Sequence, residues 1–299
     1  MEHRFRPAEY HTTIGSHPPV LRISDGDSIV TTTVDARGFD HKGIQVAQRG
    51  NPQTGPFFID GAKAGDILAV HLDAIRPNRV HGFTAVGIAP NVLDPGHETI
   101  DWQQRPNWSI DTDANTATIQ LANSHLGPLT VMLRPMLGCF GVAPDGGEAI
   151  SCATAGRHGG NMDYNGFVAG VSVYFPVFVD GALLHVGDGH AWQADGEILG
   201  TGIEVSMQVE MTVRVIKGKT IRWPHGENEH YHFTVGNARP LDQAAQHATT
   251  EMLRWLQDEY NLDAPSANLL LGSYVEYDVG NFFDPAYTMV CKLPKRVLP

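Results

Sequence analysis

Short runs of alternating apolar and polar residues fill the first three quarters of the chain, separated by Gly, Pro, Asn and Asp. Runs of this kind predict β-strands joined by turns. Examples are Val20–Ile23, Ser28–Val34, Ile67–Leu72, Ala117–Leu121, Leu129–Leu133 and Val168–Val179. The cleanest is Ile203–Val215, where odd-numbered apolar residues alternate with even-numbered polar ones. Many short strands at close spacing favour a jelly roll, a sandwich or a barrel.

The apolar spacing becomes helical near the C-terminus, and it predicts a helix over Leu241–Tyr260 and a shorter one over Ser266–Leu271. We therefore expect a mainly β fold, with a jelly-roll or sandwich-like body and an α+β C-terminal part that carries one long helix. Three parts follow, packed as one unit: an N-terminal β-rich part (1–135), a β-rich part with the richest His, Asp and Glu cluster (136–225), and the α+β part (226–299).

Composition narrows the class of protein. The 299 residues carry a formal net charge of −12, which repels nucleic acid and anionic membrane surfaces. No apolar leader or run of about 20 apolar residues is visible. The three cysteines are far apart and odd in number, as is typical of reduced thiols. We expect a cytoplasmic protein without a nucleic-acid or membrane partner.

The pattern also predicts a β-hairpin, in which Val171–Val179 pairs with Ala182–His190 through an Asp180-Gly181 turn. Asp188 and His190 would then lie at its open end. The loop His158–Asp163 enters the hairpin at that end, and the strand beginning at Glu204 leaves from it. Three polar segments are therefore expected to converge.

The converging residue types suit metal binding. Asp188 and His190 are two residues apart, so on a strand both face the same side. A carboxylate and an imidazole so placed can bind Zn²⁺, with Asp163 or His158 completing the ligand set. The alternative is that Gly187-Asp188-Gly189 forms an ordinary turn in which Asp188 binds backbone amides. Spacing alone favours neither.

Other polar residues receive plainer interpretations. Asp195 and Glu197 are expected to be solvated loop residues, and His185 a packed histidine because its parity is opposite to that of His190. Cys152 is expected to be a buried, inert thiol. No local spacing marks His230 or His232 as ligands, and their role is left open.

Several segments, in order, resemble motifs of the acetamidase/formamidase family. They are Asn51–Pro56 (NPQTGP), Pro135–Pro144 (PMLGCFGVAP), His158–Asp163 (HGGNMD), Phe175–Ala182 (FPVFVDGA), Gly187–Ala191 (GDGHA) and Asp195–Glu204 (DGEILGTGIE). The stretch Ser273–Asp284 departs from the family pattern. The resemblance implies a β-rich enzyme that hydrolyses a small aliphatic amide, such as formamide or acetamide, to a carboxylate and ammonia. It further implies a homo-oligomer, a dimer or higher, with a divalent metal, zinc in the first place and calcium as the alternative.

We assign roles within that expectation as hypotheses. Asp163, Asp188 and His190 would bind the metal, Glu204 would take a proton from water, and His158 would protonate the departing ammonia. Asn161 would donate a hydrogen bond to the developing oxyanion. Two alternatives are a hydrolase of cyclic amides (lactams), which needs a wider pocket, and a non-catalytic jelly-roll module that binds a ligand such as carbohydrate.

Overall fold

Strands make up most of the regular structure in the computed structural model, which describes residues 1–98, 100, 104–121 and 124–298. The first strands are β1 (Glu2–Arg4), β2 (Thr13–Gly15), β3 (Leu21–Ile23), β4 (Ser28–Thr32), β5 (Thr54–Ile59), β6 (Ile67–Pro77), β7 (His81–Phe83), β8 (Asn107–Asp111), β9 (Thr116–Gln120), β10 (Pro128–Met132) and β11 (Met136–Val142). They continue with β12 (Ala149–Ser151), β13 (Ala155–Gly156), β14 (Gly159–Asn161), β15 (Ser172–Pro176), β16 (Leu184–His190), β17 (Met207–Ile216), β18 (His225–Glu227), β19 (Tyr231–Ala238), β20 (Glu276–Val279) and β21 (Tyr287–Pro294). The helices are α1 (Leu241–Tyr260) and α2 (Ala264–Tyr274), with 3₁₀ turns at Pro90–Val92, Asp195–Glu197 and Lys295–Val297.

Within the described residues these strands form four sheets. The largest has nine strands in the order β1-β4-β17-β6-β15-β18-β19-β21-β20, and the second has six in the order β13-β14-β11-β16-β5-β3. Smaller sheets are β10-β9-β8-β7 and β12-β2. Strands from all three predicted parts share the nine-stranded sheet, although the boundaries at 135 and 225 stay a prediction.

The core lies between the two large sheets. Phe140 on β11 packs edge-to-face against Phe175 on β15, with ring centroids 5.4 Å apart and planes at 86°. Phe167 contacts the other side of Phe140 at 5.1 Å, and all three rings are fully buried or nearly so. Each ring removed from water contributes about 1.5–3 kcal/mol. The predicted mainly β, sandwich-like body is confirmed.

The predicted hairpin around Asp180-Gly181 is wrong. β15 pairs with β6 and β18 in the nine-stranded sheet, whereas β16 pairs with β11 and β5 in the six-stranded sheet. Gly181, Ala182 and Leu183 all have positive φ, at 77°, 55° and 57°. Three consecutive left-handed residues carry the chain from one sheet to the other instead of closing a two-residue turn.

The strand predicted over Ile203–Val215 begins later, at Met207. From there its alternate residues are buried as expected, with Met207, Val209, Met211 and Val213 facing the core. Glu204 precedes the strand and makes isolated β-bridges to Phe83 and to His190. Its placement therefore comes from these two bridges and not from the alternation along the strand.

The C-terminal helices are confirmed. Helix α1 has the predicted bounds and packs on β19, where the Thr234 hydroxyl donates to the Ala248 carbonyl oxygen at 2.7 Å. A side chain at Gly236 would overlap the carbonyl oxygen of Ala244, so glycine permits this close approach. The Asp263 side chain caps α2 by accepting from the backbone N–H of Ser266 at 2.9 Å. No helix in the described ranges is long and apolar enough to cross a bilayer.

Candidate metal and catalytic site

A glycine on the central strand β11 lies beneath the candidate site. β11 is flanked by β14 and β16, so that Cys139 pairs with Asn161 on one side and with Gly187 on the other. A Cβ on the neighbouring Gly138 would overlap Oδ1 of Asp163, which follows β14, and would lie 2.9 Å from Oδ2 of Asp188 on β16. The two carboxylates therefore meet over Gly138, where no other residue leaves enough room.

His190, at the end of β16, joins these carboxylates to Glu204. Its Nε2 lies 2.9 Å from Oε1 of Glu204 and 3.6 Å from Oδ1 of Asp188. Its Nδ1 lies 2.8 Å from Oε1 of Gln193, an atom that only accepts a hydrogen bond. Nδ1 consequently carries the proton in the neutral ring, which leaves the lone pair of Nε2 directed at the carboxylates.

A chain of amide side chains holds the carboxylates from the other direction. Nδ2 of Asn51 donates to Oδ2 of Asp188 at 3.1 Å and to Oδ1 of Asn161 at 2.9 Å. Nδ2 of Asn161 in turn donates to Oδ2 of Asp284 at 2.6 Å. Through Asn161, these hydrogen bonds connect Asn51 with Asp284, which are more than 200 residues apart in sequence.

The backbone of the site is strained. Asn51, Asp163, Asp188 and Glu197 are four of the eight non-glycine residues with positive φ among the described residues. Asn and Asp tolerate this conformation, whereas Glu adopts it less readily. Unusual backbone conformations of this kind cluster at functional sites, because the surrounding packing must hold them in place.

Burial and mutual repulsion perturb the acids of the site. Burial raises the pKa of Glu204 to about 7 and that of Asp284 to about 6. Burial also raises the pKa of Asp163 and of Glu197 well above the usual range, and the charge of Asp284 adds to both shifts. For His190, burial acts to lower the pKa, but the charges of Glu204 and Asp188 outweigh it and raise the pKa well above 6.5. So many buried acids around one imidazole require additional positive charge to ionise together.

The side-chain atoms that lack partners fit a divalent metal. Both carboxyl oxygens of Asp163, Oδ1 of Asp188 and Oε2 of Glu204 are buried without a hydrogen-bond partner in the described part of the chain. Nε2 of His190 lies 2.9 Å from Oε1 of Glu204 but forms no hydrogen bond of good geometry with it. Ligand atoms of Asp188, His190 and Glu204 lie within 4.8 Å of one another, as do those of Asp163, His190 and Glu197. Carboxylate oxygens with one imidazole nitrogen form a donor set that suits zinc and similar ions.

A cavity of about 220 Å³ opens above this cluster. Its lining is mainly polar and includes Asn51, Asn161, Asp188, Glu197, Glu204 and Asp284, together with Arg37 and Phe83. The volume suits a molecule of a few heavy atoms. Such a molecule would meet hydrogen-bond donors and acceptors and one aromatic ring.

The structure brings together five of the six residues predicted for the site, namely Asn161, Asp163, Asp188, His190 and Glu204. Their assigned roles stay predictions. His158 lies outside the lining of the cavity, as do Asp163 and His190, and its Nε2 has no hydrogen-bond partner among the described residues. Burial lowers the pKa of His158 to about 4. The His158 ring is therefore neutral near pH 7, and its assigned role as proton donor to ammonia stays a prediction.

Sequence reasoning misplaced Glu197 and missed Gln193, Asn51 and Asp284. Glu197 was expected in solvent but is buried, adopts a left-handed backbone conformation and lines the cavity. Gln193 has no local signature, although its position three residues after His190 places it within reach of that ring. Asp284 lies in the stretch that departs from the family pattern.

The remaining sequence predictions concern residues outside the site. Asp195 is exposed, and His185 is fully buried as predicted, with Nε2 3.1 Å from the carbonyl oxygen of Gly15. Cys152 is fully buried, as predicted. His230 is exposed at the surface, and His232 contacts Glu227 at 3.5 Å, so neither histidine belongs to the cluster.

Comparisons with known proteins show which family this sequence resembles. The profile of the Acetamidase/Formamidase family matches residues 146–250. The acetamidase of Mycolicibacterium smegmatis is 41% identical over 194 residues, which are 60% of this chain and 45% of that protein. The chain spans about half the length of the curated relatives that head the comparison.

Solved structures extend the likeness to the whole fold. One described as a predicted acetamidase/formamidase from Thermoanaerobacter tengcongensis has a TM-score of 0.87 and 28% identity, over 100% of this chain and 97% of that one. A γ-lactamase from Delftia acidovorans has a TM-score of 0.58 and 20% identity, over 95% of this chain and 88% of that one, and shares the fold alone. The predicted resemblance to the acetamidase/formamidase family is confirmed.

Proposed function

We propose that this relative of the acetamidases and formamidases is a metal-assisted amidase, which hydrolyses a short linear amide to a carboxylate and ammonia. The observation that carries the proposal is the meeting of partnerless oxygen and nitrogen atoms from Asp163, Asp188, His190 and Glu204 beneath a small cavity. The likeness to acetamidases in sequence and fold supports the choice of substrate.

Asp163, Asp188 and His190 are the proposed ligands of a divalent metal, with zinc the first choice. When bound, the ion supplies Lewis-acid polarisation of the amide carbonyl and positive charge among the buried acids. Gln193 fixes the ring of His190 through Nδ1, and Asn51 fixes the carboxylate of Asp188. These two contacts orient the ligands before substrate arrives.

Glu204 is the proposed general base. It lines the cavity, and burial raises its pKa to about 7, which suits a group that both accepts and returns a proton near neutral pH. Glu204 takes the proton of the attacking water as its oxygen bonds to the amide carbon. The same carboxyl then delivers that proton to nitrogen as the C–N bond breaks, so ammonia leaves without help from His158.

Asn161 is proposed to stabilise the negative charge that develops on the carbonyl oxygen. One hydrogen of its Nδ2 is donated to Asp284, which aims the side chain and leaves the second hydrogen for the cavity that Asn161 lines. A donor held in advance at such a position acts without reorganisation during the reaction.

The test is ammonia release from formamide, acetamide and propionamide, combined with metal analysis of the purified protein. Asp188→Asn should lose both metal and turnover. Glu204→Gln should keep the metal and lose about 10²–10⁴-fold in turnover; loss of the metal as well would make Glu204 a ligand instead. The matched control is Glu229→Gln, because the Glu229 side chain is 89% exposed and lies apart from the cavity.

Two results would reject the proposal. One is full activity of the Asp188→Asn variant in a metal-free preparation. The other is hydrolysis of a five-membered lactam with no turnover of any linear amide, which would favour the lactamase alternative.

A further inference from the structure

A second, larger cavity adjoins the catalytic cavity. We name this cavity of about 500 Å³ the outer chamber; its walls include Arg37, Phe39, Lys42, Arg79, His81 and Phe83. Arg37 and Phe83 also line the catalytic cavity. The two cavities therefore share this pair of lining side chains, and a substrate with a longer acyl chain would have to extend past Arg37 and Phe83 to reach the outer chamber.

The side chain of Arg37 is held at the junction by aromatic rings. Its guanidinium carbon lies 5.3 Å from the ring centroid of Phe83 and 5.7 Å from that of Phe39. Cation–π contacts at these distances orient the group without neutralising its charge. Within the described ranges, no carboxylate lies within 4 Å of the Arg37 guanidinium.

The chamber carries an excess of positive charge, although the whole chain is acidic at −12. Arg79 is neutralised by Asp35, with Nη2 and Oδ2 2.6 Å apart and both groups largely buried. Lys42 is exposed, and its ammonium forms no ion pair with any described residue. The nearby Asp40 carboxylate instead accepts the backbone N–H groups of Lys42 and Ile44. Against the effect of burial, the charge of Lys42 also helps to lower the pKa of Asp40, so Arg37 is the main unpaired cation among the described residues of the chamber and Lys42 a weaker second one.

We infer that the outer chamber binds a carboxylate at the far end of the acyl chain, so that the preferred substrates are monoamides of short dicarboxylic acids. This inference rests on the proposed amidase function. The amide end would lie over the metal cluster, the methylene groups would contact the rings of Phe39 and Phe83, and the terminal carboxylate would face Arg37 and Lys42. Charge-assisted hydrogen bonds from a guanidinium are well suited to a carboxylate.

The kinetic test compares malonamate, succinamate and glutaramate with uncharged amides of the same chain length. In the unmodified protein, kcat/KM should favour at least one anionic amide by about tenfold, and added salt should reduce that preference. The preference should fall about tenfold in Arg37→Gln, and should recover in part in Arg37→Lys. Lys42→Gln should lower the preference in the same direction.

Lys63→Gln is the matched control. Its ammonium pairs with Asp180 at 2.6 Å, and Lys63 lines neither cavity, so the preference should be unchanged. Equal kcat/KM for charged and uncharged amides in the unmodified protein would overturn the inference while the amidase function stands.

Succinate binding separates failure of the chamber from failure of the amidase. Calorimetric titration with succinate should show binding to the unmodified protein that is weakened in Arg37→Gln. If no amide is hydrolysed but succinate still binds through Arg37, the amidase proposal fails and the carboxylate site stands. Absence of both succinate binding and preference for anionic amides overturns the carboxylate site.

Discussion

Replacing Gln193 by Leu should weaken both the stability of the fold and the binding of the proposed metal. The side chain is buried and makes three polar contacts. Oε1 accepts from Nδ1 of His190 at 2.8 Å, and Nε2 donates to the carbonyl oxygens of Asp163 at 2.5 Å and of Gly280 at 3.3 Å. Leucine fills a similar volume but leaves the N–H of His190 and the carbonyl of Asp163 without partners.

The magnitude follows from those contacts. Each buried group left unsatisfied costs about 1–3 kcal/mol. The two short contacts, to His190 and Asp163, therefore account for a fall of about 2–6 kcal/mol in the free energy of unfolding, and the longer contact to Gly280 at 3.3 Å adds little. The His190 ring would also lose the contact that sets its tautomer and orientation. Loss of such a contact lowers metal affinity by about 10–100-fold.

The assays are urea denaturation for stability and chelator competition for metal affinity. Gln193→Glu keeps an acceptor for Nδ1 of His190 and should retain more metal affinity than Gln193→Leu. Gln208→Leu is the control, because the half-buried side chain of Gln208 donates to Glu210 on the same strand and lines neither cavity. Wild-type metal affinity in Gln193→Leu would refute the positioning role assigned to this residue.

Three further predictions concern packing, capping and pH. Gly138→Ala should lower metal affinity at least tenfold in a chelator assay, because its Cβ overlaps Asp163. The control is Gly272→Ala in α2, where a Cβ would meet open space; this variant should gain about 0.5–1 kcal/mol of stability. Equal metal affinity in Gly138→Ala and Gly272→Ala would contradict the packing argument. Asp263→Ala should lose about 1 kcal/mol in urea denaturation and Asp263→Asn much less; equal losses would exclude capping. Burial lowers the pKa of His185 to about 3. Between about pH 3 and 6.5 the folded state therefore binds fewer protons than the unfolded state. The free energy of unfolding should be unaffected by this residue above about pH 6.5 and should decrease as the pH falls below that value. His185→Gln should flatten that acid slope, and an unchanged slope would assign it to other groups.

The spacing of apolar residues correctly predicted those elements that form from residues close together in the sequence. The helix over Leu241–Tyr260 needs only its own apolar stripe, and its bounds are confirmed. The grouping of Asp163, Asp188 and His190 was also predicted, but through a wrong hairpin. The three residues meet because β11 lies between β14 and β16, and the choice of partner strand depends on packing over the whole chain.

The remaining errors have the same origin. Glu197 follows a glycine in a short polar turn, a context that predicts solvent, yet the turn folds inward on the site. Asn51 and Asp284 approach the cluster from opposite ends of the sequence, and no spacing rule connects them. The cytoplasmic location, the homo-oligomer and the lack of a nucleic-acid partner stay predictions.

The hydrogen bonds that link Asn51, Asn161 and Asp284 have a consequence for folding. Each closes a loop of more than 100 residues, and closures of that length slow the approach to the native state. Partly folded chains will therefore hold Asp284 and the proposed metal ligands apart in water, where the ligands cannot bind a metal ion together. Regain of tight metal binding after dilution from urea should accordingly report the last stage of refolding, later than the return of helical signal from α1.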